Sequence, residues 1–132
     1  MEITKALLDN LTEQAKNSPR LRISYDLRNS ADDNSQRVLN ALEPGTVVAI
    51  HRHRNSSETV ALIRGSLRMR VFDDNGKEIE SFVIDSKGPV SFYMLPKGAW
   101  HTCDVLESGT IMFEAKDGKY EPTSPSDILN LI

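Results

Sequence analysis

The sequence has little cysteine, little histidine and no long apolar run. One cysteine among 132 residues excludes an intrachain disulfide and is typical of a reducing compartment. No run of about 18 apolar residues occurs, so we expect no membrane-spanning helix. A secretory signal has a basic segment followed by an apolar stretch, and the N-terminus does not have this pattern. We therefore expect a cytoplasmic protein.

A strong charge excess is also missing. The chain has 16 Lys and Arg residues against 19 Asp and Glu residues, a formal net charge of −3, and this gives no general reason to expect nucleic-acid binding. Hydrophobic residues make up 39% and charged residues 27%, as in ordinary globular proteins. The length fits one domain over residues 1–132. We expect a small-molecule ligand as its partner, with neither nucleic acid nor membrane.

The pattern of apolar residues predicts a helix followed by many short strands. Thr4 is a suitable cap for an amphipathic helix over residues 4–16, and the N-terminal segment extends to residue 19. Residues 20–115 are expected to form an antiparallel β-barrel, because turn residues separate short segments rich in β-branched and aromatic residues. These segments are 20–26, 36–42, 46–54, 58–64, 66–73, 79–84, 90–95, 101–106 and 109–115.

Two further segments have their own signals. Asp73-Asp74-Asn75-Gly76 predicts a hairpin, because Asn-Gly readily adopts the positive φ angles of tight turns. The C-terminal tail, residues 116–132, is expected to carry a short helix over 124–131 that begins near Ser126 or Asp127. Small barrels with an extra N-terminal strand often pair their edges, so a homodimer is expected.

The chain's three histidines predict a metal site. His51 and His53 are two apart in a segment that reads as a strand, so both side chains should point to the same face. A turn after His53 would carry Glu58 back beside them, and the turn Pro96-Lys97-Gly98 precedes His101 on a separate strand. Three imidazoles and one carboxylate suit a divalent transition metal, and iron, manganese, zinc, nickel and cobalt all remain possible.

The spacing of these residues resembles the cupin superfamily. The first cupin motif, G-x5-H-x-H-x4-E-x6-G, is matched by Gly45, His51, His53, Glu58 and Gly65. The second, which ends in P-x-G-x2-H, is matched by Pro96, Gly98 and His101, but Val90 and Val105 stand where the motif has glycine and asparagine. The resemblance implies a double-stranded β-helix, or jelly-roll barrel, with a metal held by the three histidines and Glu58.

The whole chain also resembles the WbuC family of cupin-fold metalloproteins, which is associated with bacterial O-antigen and other surface-polysaccharide clusters. Together with the open coordination positions that four protein ligands leave, this suggests a metal-dependent enzyme of isomerase, epimerase, lyase or oxygenase type. Its substrate would be a small polar metabolite, for which a sugar derivative is a candidate. The alternatives are a non-catalytic metal-dependent binding or sensor module, and a barrel that the metal merely stabilises.

Several other residues are candidates for the site. Glu114, on the last predicted strand, and Tyr93 are candidate catalytic residues, because an inward carboxyl could serve as an acid or base. Trp100 directly precedes His101 and is a candidate pocket wall. All nine arginines lie between residues 20 and 70, and Arg20 and Arg22 are the better candidates among them for binding an anionic substrate. Most of the others are expected to lie outside or to pair with acidic residues. Cys103 should share the inward face of His101 as a small buried residue.

Overall fold

The computed structural model describes residues 1–129, which form one α-helix, ten β-strands and a single 3-10 turn. The elements are α1 (Lys5–Asn17), β1 (Arg22–Asp26), β2 (Ser35–Leu42), β3 (Ile50–His51), β4 (Glu58–Arg64), β5 (Ser66–Phe72), β6 (Glu78–Asp85), β7 (Phe92–Leu95), β8 (Trp100–Val105), β9 (Thr110–Asp117), the 3-10 turn Pro125–Asp127 and β10 (Ile128–Leu129).

The strands form two five-stranded sheets in which the paired strands are antiparallel. The first sheet has the order β1-β2-β9-β4-β7 and the second has the order β10-β3-β8-β5-β6. Buried side chains from both sheets form one core, which includes Val60 and Met112 from the first sheet and Leu67 and Met69 from the second. The mainly-β architecture with one N-terminal helix is therefore confirmed. The hairpin predicted at Asp73–Gly76 joins β5 to β6.

Helix α1 lies against the outer face of the first sheet. Thr4 caps it, because its hydroxyl oxygen accepts a hydrogen bond from the Leu7 N–H at 3.1 Å. Within residues 1–129, this 13-residue helix is too short and too polar to cross a membrane. Its apolar stripe packs on β2 and β9, and the buried residues of that contact are Leu8, Leu11, Ala15, Leu39, Ala41 and Ile111.

Three predicted elements differ from the structure. The segment 46–54 contains a strand only at Ile50–His51, so His53 lies just beyond the ladder. The first strand begins at Arg22, because Leu21 has a φ of 56° and interrupts the extended backbone. The tail helix is wrong within the described residues: one 3-10 turn forms at Pro125–Asp127, and Ile128 and Leu129 then pair with β3. Residues 130 and 131 of the predicted helix lie outside the described residues.

Candidate metal centre

The three histidines converge at one end of the barrel. His51 on β3 lies directly opposite His101 on β8, and His53 follows two residues after His51. One ligating atom from each of the three side chains lies within 4.8 Å of the other two. The ring centroids of His51 and His101 are 4.4 Å apart, and that of His53 is 5.0 Å from His51 and 5.7 Å from His101. The arrangement can hold one metal ion.

Backbone carbonyls fix the tautomers of two of these rings. Nδ1 of His51 is 2.8 Å from the Ala49 carbonyl oxygen, and Nδ1 of His101 is 2.9 Å from the Ala99 carbonyl oxygen. A carbonyl can only accept a hydrogen bond, so Nδ1 must carry the proton in both rings. In its neutral form, each of these rings then has a free Nε2 lone pair that can bind a metal, as in many histidine metal sites.

The Glu58 carboxylate lies beside two of these imidazoles. Its side chain is 4% exposed, and Oε2 lies 3.6 Å from Nε2 of His53 and 3.3 Å from Nε2 of His101. Neither contact has hydrogen-bond geometry, so this buried oxygen has no hydrogen-bond partner among the described residues. An unsatisfied buried carboxylate oxygen facing imidazole nitrogens fits a divalent cation between them, because a cation would satisfy all of these donors at once.

Burial sets the charge of two of the imidazoles. It lowers the pKa of His51 to about 4, with a further contribution from His101, and it lowers the pKa of His53 to about 4, with a contribution from Lys116. Both rings are therefore neutral at neutral pH, which is the form that binds metal. Burial also opposes the charged form of His101, but the adjacent Glu58 carboxylate prevails and raises the pKa of His101.

Two carboxyl groups in the site have pKa values shifted in opposite directions. Burial alone would raise the pKa of Glu58, but His101, Lys116 and His53 lower it to about 2. Burial and the negative charge of Glu58 raise the pKa of Glu114 to about 7, although the Lys116 ammonium lies 3.5 Å from Glu114 Oε2. A carboxyl that titrates near neutral pH beside an ionised one can donate or accept a proton in a reaction.

The histidines and carboxyls line a cavity of about 500 Å³ between the two sheets. This volume lies in the range of small-molecule sites. The cavity reaches the surface at Arg20, whose side chain is exposed. Apolar walls come from Val60, Met69, Cys103 and Met112. The polar residues that line it in addition to the histidines and the two glutamates are Arg20, Arg22, Ser24, Asn40, Thr102 and Lys116.

Two predicted site residues do not line this cavity. The Tyr93 hydroxyl donates a hydrogen bond to Glu80 at 3.1 Å, and its ring packs against Phe82. Trp100 lies on the opposite face of β8 from His101, where its indole N–H donates to Asp74 at 3.0 Å and the Arg52 guanidinium stacks over its ring. The pocket-wall prediction for Trp100 is therefore corrected, because neighbouring residues on a strand point to opposite faces.

The other predicted residues lie in or near the cavity. Arg20, Arg22 and Glu114 line it, as does the buried Cys103, whose thiol pKa is raised to about 12 by burial and by neighbouring carboxylates. Such a thiol is inert at neutral pH, in keeping with the expectation of a small buried residue.

Lys116, Asn40 and Ser24 also line the cavity and are not among the predicted site residues. Lys116 has the same strand parity as Glu114, so the alternation of side chains along β9 indicates that the two share a face.

The architecture and the site together define a cupin-fold protein with a three-histidine cluster. The chain is similar to the capsular polysaccharide assembling protein CapF from Staphylococcus aureus, with a TM-score of 0.64 and 18% identity over 75% of this chain and 27% of that one. It is also similar to an oxalate oxidase solved with the substrate analogue glycolate, with a TM-score of 0.64 and 15% identity over 78% of this chain and 54% of that one.

A third similar structure is a mutant of the oxalate decarboxylase OxdC from Bacillus subtilis, with a TM-score of 0.56 and 24% identity over 69% of this chain and 23% of that one. The chain thus spans between about a quarter and just over half of these relatives. At such identities the likeness shows the cupin fold alone.

The sequence itself matches one family. The chain belongs to the family described as domain of unknown function DUF6016, whose model matches residues 3–84. The matched segment includes His51, His53 and Glu58 and ends before His101. No curated protein sequence matches the chain significantly.

Proposed function

We propose that the protein is a metal-dependent enzyme that acts on a small polar metabolite at the cavity described above. The observation that carries the proposal is the three-imidazole cluster at the wall of this cavity, with Glu58 Oε2, which has no hydrogen-bond partner among residues 1–129, beside the His53 and His101 rings. His51, His53, Glu58 and His101 would hold one divalent transition metal ion. Such a cation, when bound, polarises a carbonyl or acidifies a hydroxyl or water of the substrate.

Glu114 is the candidate for proton transfer. It lines the same cavity as the histidines, and its raised pKa lets it exist in both protonation states near neutral pH. Lys116 beside it would stabilise the carboxylate after Glu114 releases its proton, since the ammonium is 3.5 Å from Oε2. These roles suit isomerase, epimerase or lyase chemistry, in which a proton is moved. They are also compatible with an oxygenase.

The biological setting is part of the proposal. The resemblance to the WbuC family favours a role in bacterial surface-polysaccharide metabolism. The structural likeness to a capsular polysaccharide assembling protein supports the same role. A sugar-derived substrate, a cytoplasmic location and a homodimeric state belong to the same proposal. A monomer mass measured by light scattering would contradict the proposed homodimer.

Metal analysis of untagged protein tests the proposal. We expect about one equivalent of a transition metal by plasma mass spectrometry, lost in a His51→Ala, His101→Ala double variant and kept in Arg68→Gln, which alters an exposed residue outside the cavity. Absence of metal from wild-type protein, even after reloading under reducing conditions, would contradict the proposal. Metal binding in a protein that turns over no substrate would favour the binding or sensor module instead.

A further inference from the structure

Two arginines line the cavity and have no acidic partner among the described residues, unlike most of the other arginines. Arg28, Arg37, Arg52, Arg54, Arg64 and Arg70 each form an ion pair with an Asp or Glu side chain. Within residues 1–129, Arg20 and Arg22 form none, and both border the cavity that contains the histidines. Arg68 also has no ion pair within that range, but it lies outside the cavity, where it donates a hydrogen bond to the Ser81 hydroxyl.

The carboxyl groups of the cavity do not supply the missing negative charge. The only two that line it within the described chain are Glu58, which faces the histidines, and Glu114, which contacts Lys116. A divalent cation at the histidines would add further positive charge. The cavity thus carries an excess of positive charge on the side where Arg20 and Arg22 lie.

Partial burial makes this charge costly for Arg22. Burial, followed by repulsion from Arg20, lowers the pKa of the Arg22 guanidinium. Two guanidinium groups that repel each other at the wall of one cavity are stabilised by an anion between them, because such a group accepts charge-assisted hydrogen bonds from both.

The backbone holds the two arginines on a constrained turn. Leu21, between them, has a φ of 56°, which is an unfavourable conformation for a leucine. Hydrogen bonds fix both sides of it: the Arg20 N–H donates to Ser18 Oγ at 3.2 Å, and the Thr46 hydroxyl donates to the Arg20 carbonyl at 2.7 Å. The Glu43 N–H donates to the Leu21 carbonyl at 2.9 Å. Strain of this kind persists only where the surrounding contacts impose it.

From these observations we infer that Arg20 and Arg22 bind an oxyanion, a carboxylate or a phosphate, on a small ligand that extends towards the histidines. The inference builds on the proposed function, because it names the substrate class of the same site: a small polar metabolite with an anionic group at one end and its reacting hydroxyl or carbonyl at the other. The cavity of about 500 Å³ accepts a ligand of small-molecule size.

Binding measurements on purified protein test this inference. The carboxylate probes are glycolate and D-glucuronate, the phosphate probes are inorganic phosphate and D-glucose 6-phosphate, and D-glucose is the uncharged comparison. Titration calorimetry at low salt should detect binding of at least one anion and weaker or no binding of D-glucose. In an Arg20→Gln, Arg22→Gln double variant the dissociation constant should rise at least about tenfold. In Arg68→Gln it should change by less than about twofold, because that exposed side chain does not line the cavity.

Either probe series supports the inference, and the one that binds identifies the oxyanion. Three results would overturn it: no anion binds to the wild type, D-glucose binds as tightly as the anions, or the double variant binds as well as Arg68→Gln. Metal analysis of the same samples keeps this outcome separate from the proposed function. Metal without arginine-dependent anion binding would reject only the inference, whereas arginine-dependent anion binding without metal would reject only the metal enzyme.

Discussion

Replacing Glu58 by glutamine should reduce the stability that a bound metal adds to the fold. The substitution keeps the size of the side chain but removes the charge of an oxygen that faces two imidazoles at 3.3 and 3.6 Å. The loss of a charged ligand should weaken metal binding at least about 10- to 100-fold, since even the partners that merely orient metal ligands have effects of that size. At saturating metal, each tenfold loss lowers the free energy of unfolding by about 1.4 kcal/mol.

The assay is urea unfolding of wild type and variant, each with added zinc and with a chelator. The quantity of interest is the zinc increment, the difference between the two free energies of unfolding. We expect this increment to fall by about 1.4 to 2.7 kcal/mol in Glu58→Gln. The double difference removes any effect of the substitution on the metal-free protein.

Glu43 provides a matched control. It is also a buried carboxylate, but it accepts hydrogen bonds from the Ser108 hydroxyl and the Gly109 N–H at 2.6 Å and does not line the cavity. Glu43→Gln should cost about 1–3 kcal/mol equally with and without zinc. An unchanged zinc increment in Glu58→Gln, or an equal loss of it in Glu43→Gln, would refute the assignment of Glu58 as a ligand.

Two further predictions concern the helix and the cavity. Leu11→Ala should lower the free energy of unfolding by about 2–5 kcal/mol in urea titrations, because Leu11 is 2% exposed between α1 and the sheet. The control Leu106→Ala, at an exposed leucine, should change the free energy of unfolding by less than about 0.5 kcal/mol. Equal effects of the two substitutions would show that α1 does not pack as described. Glu114→Gln should leave the metal content at the wild-type level but reduce turnover of a substrate, once one is found, at least about 100-fold. Unchanged turnover in that variant would exclude Glu114 as the acid or base.

Much of the barrel could be predicted because its signals are local. The Asn75-Gly76 turn, the β-branched strand segments and the Thr4 cap act over a few residues, and the structure has the corresponding elements. The tail helix failed because its determinant is not local. The Ser-Pro-Ser-Asp start forms one 3-10 turn, but Asp127 then binds Arg52 and Arg54, and Ile128 pairs with His51. Sequence spacing does not reveal that pairing.

Local sequence signals also predict part of the candidate site, and the rest depends on pairing between distant strands. The two-residue spacing of His51 and His53 and the turn before Glu58 predict that the three lie together, although His53 lies just beyond β3. The Pro96–Gly98 turn leads to His101, and its Gly98 N–H donates a hydrogen bond to the His53 carbonyl at 2.9 Å. Gly98 has a φ of 81°, which a side chain would disfavour. Parity also assigns Trp100 to the face opposite His101, so its proximity in sequence was misleading.

Other members of the cavity depend on sheet register. In the pairing of β4 with β9, Lys116 lies opposite Glu58 and Glu114 lies opposite Val60, and the residues of each pair are far apart along the chain. No short-range pattern predicts such a register. The predicted last strand, residues 109–115, ends one residue before Lys116 and therefore does not include the lysine.

Anomalous diffraction from crystals of the metal-loaded protein tests the central claim most directly. With zinc, data on both sides of the absorption edge should show one peak about 2.0–2.2 Å from a nitrogen of each of His51, His53 and His101 and from an oxygen of Glu58. A peak only elsewhere on the surface, or no peak in protein that was soaked with excess zinc, would contradict the metal centre.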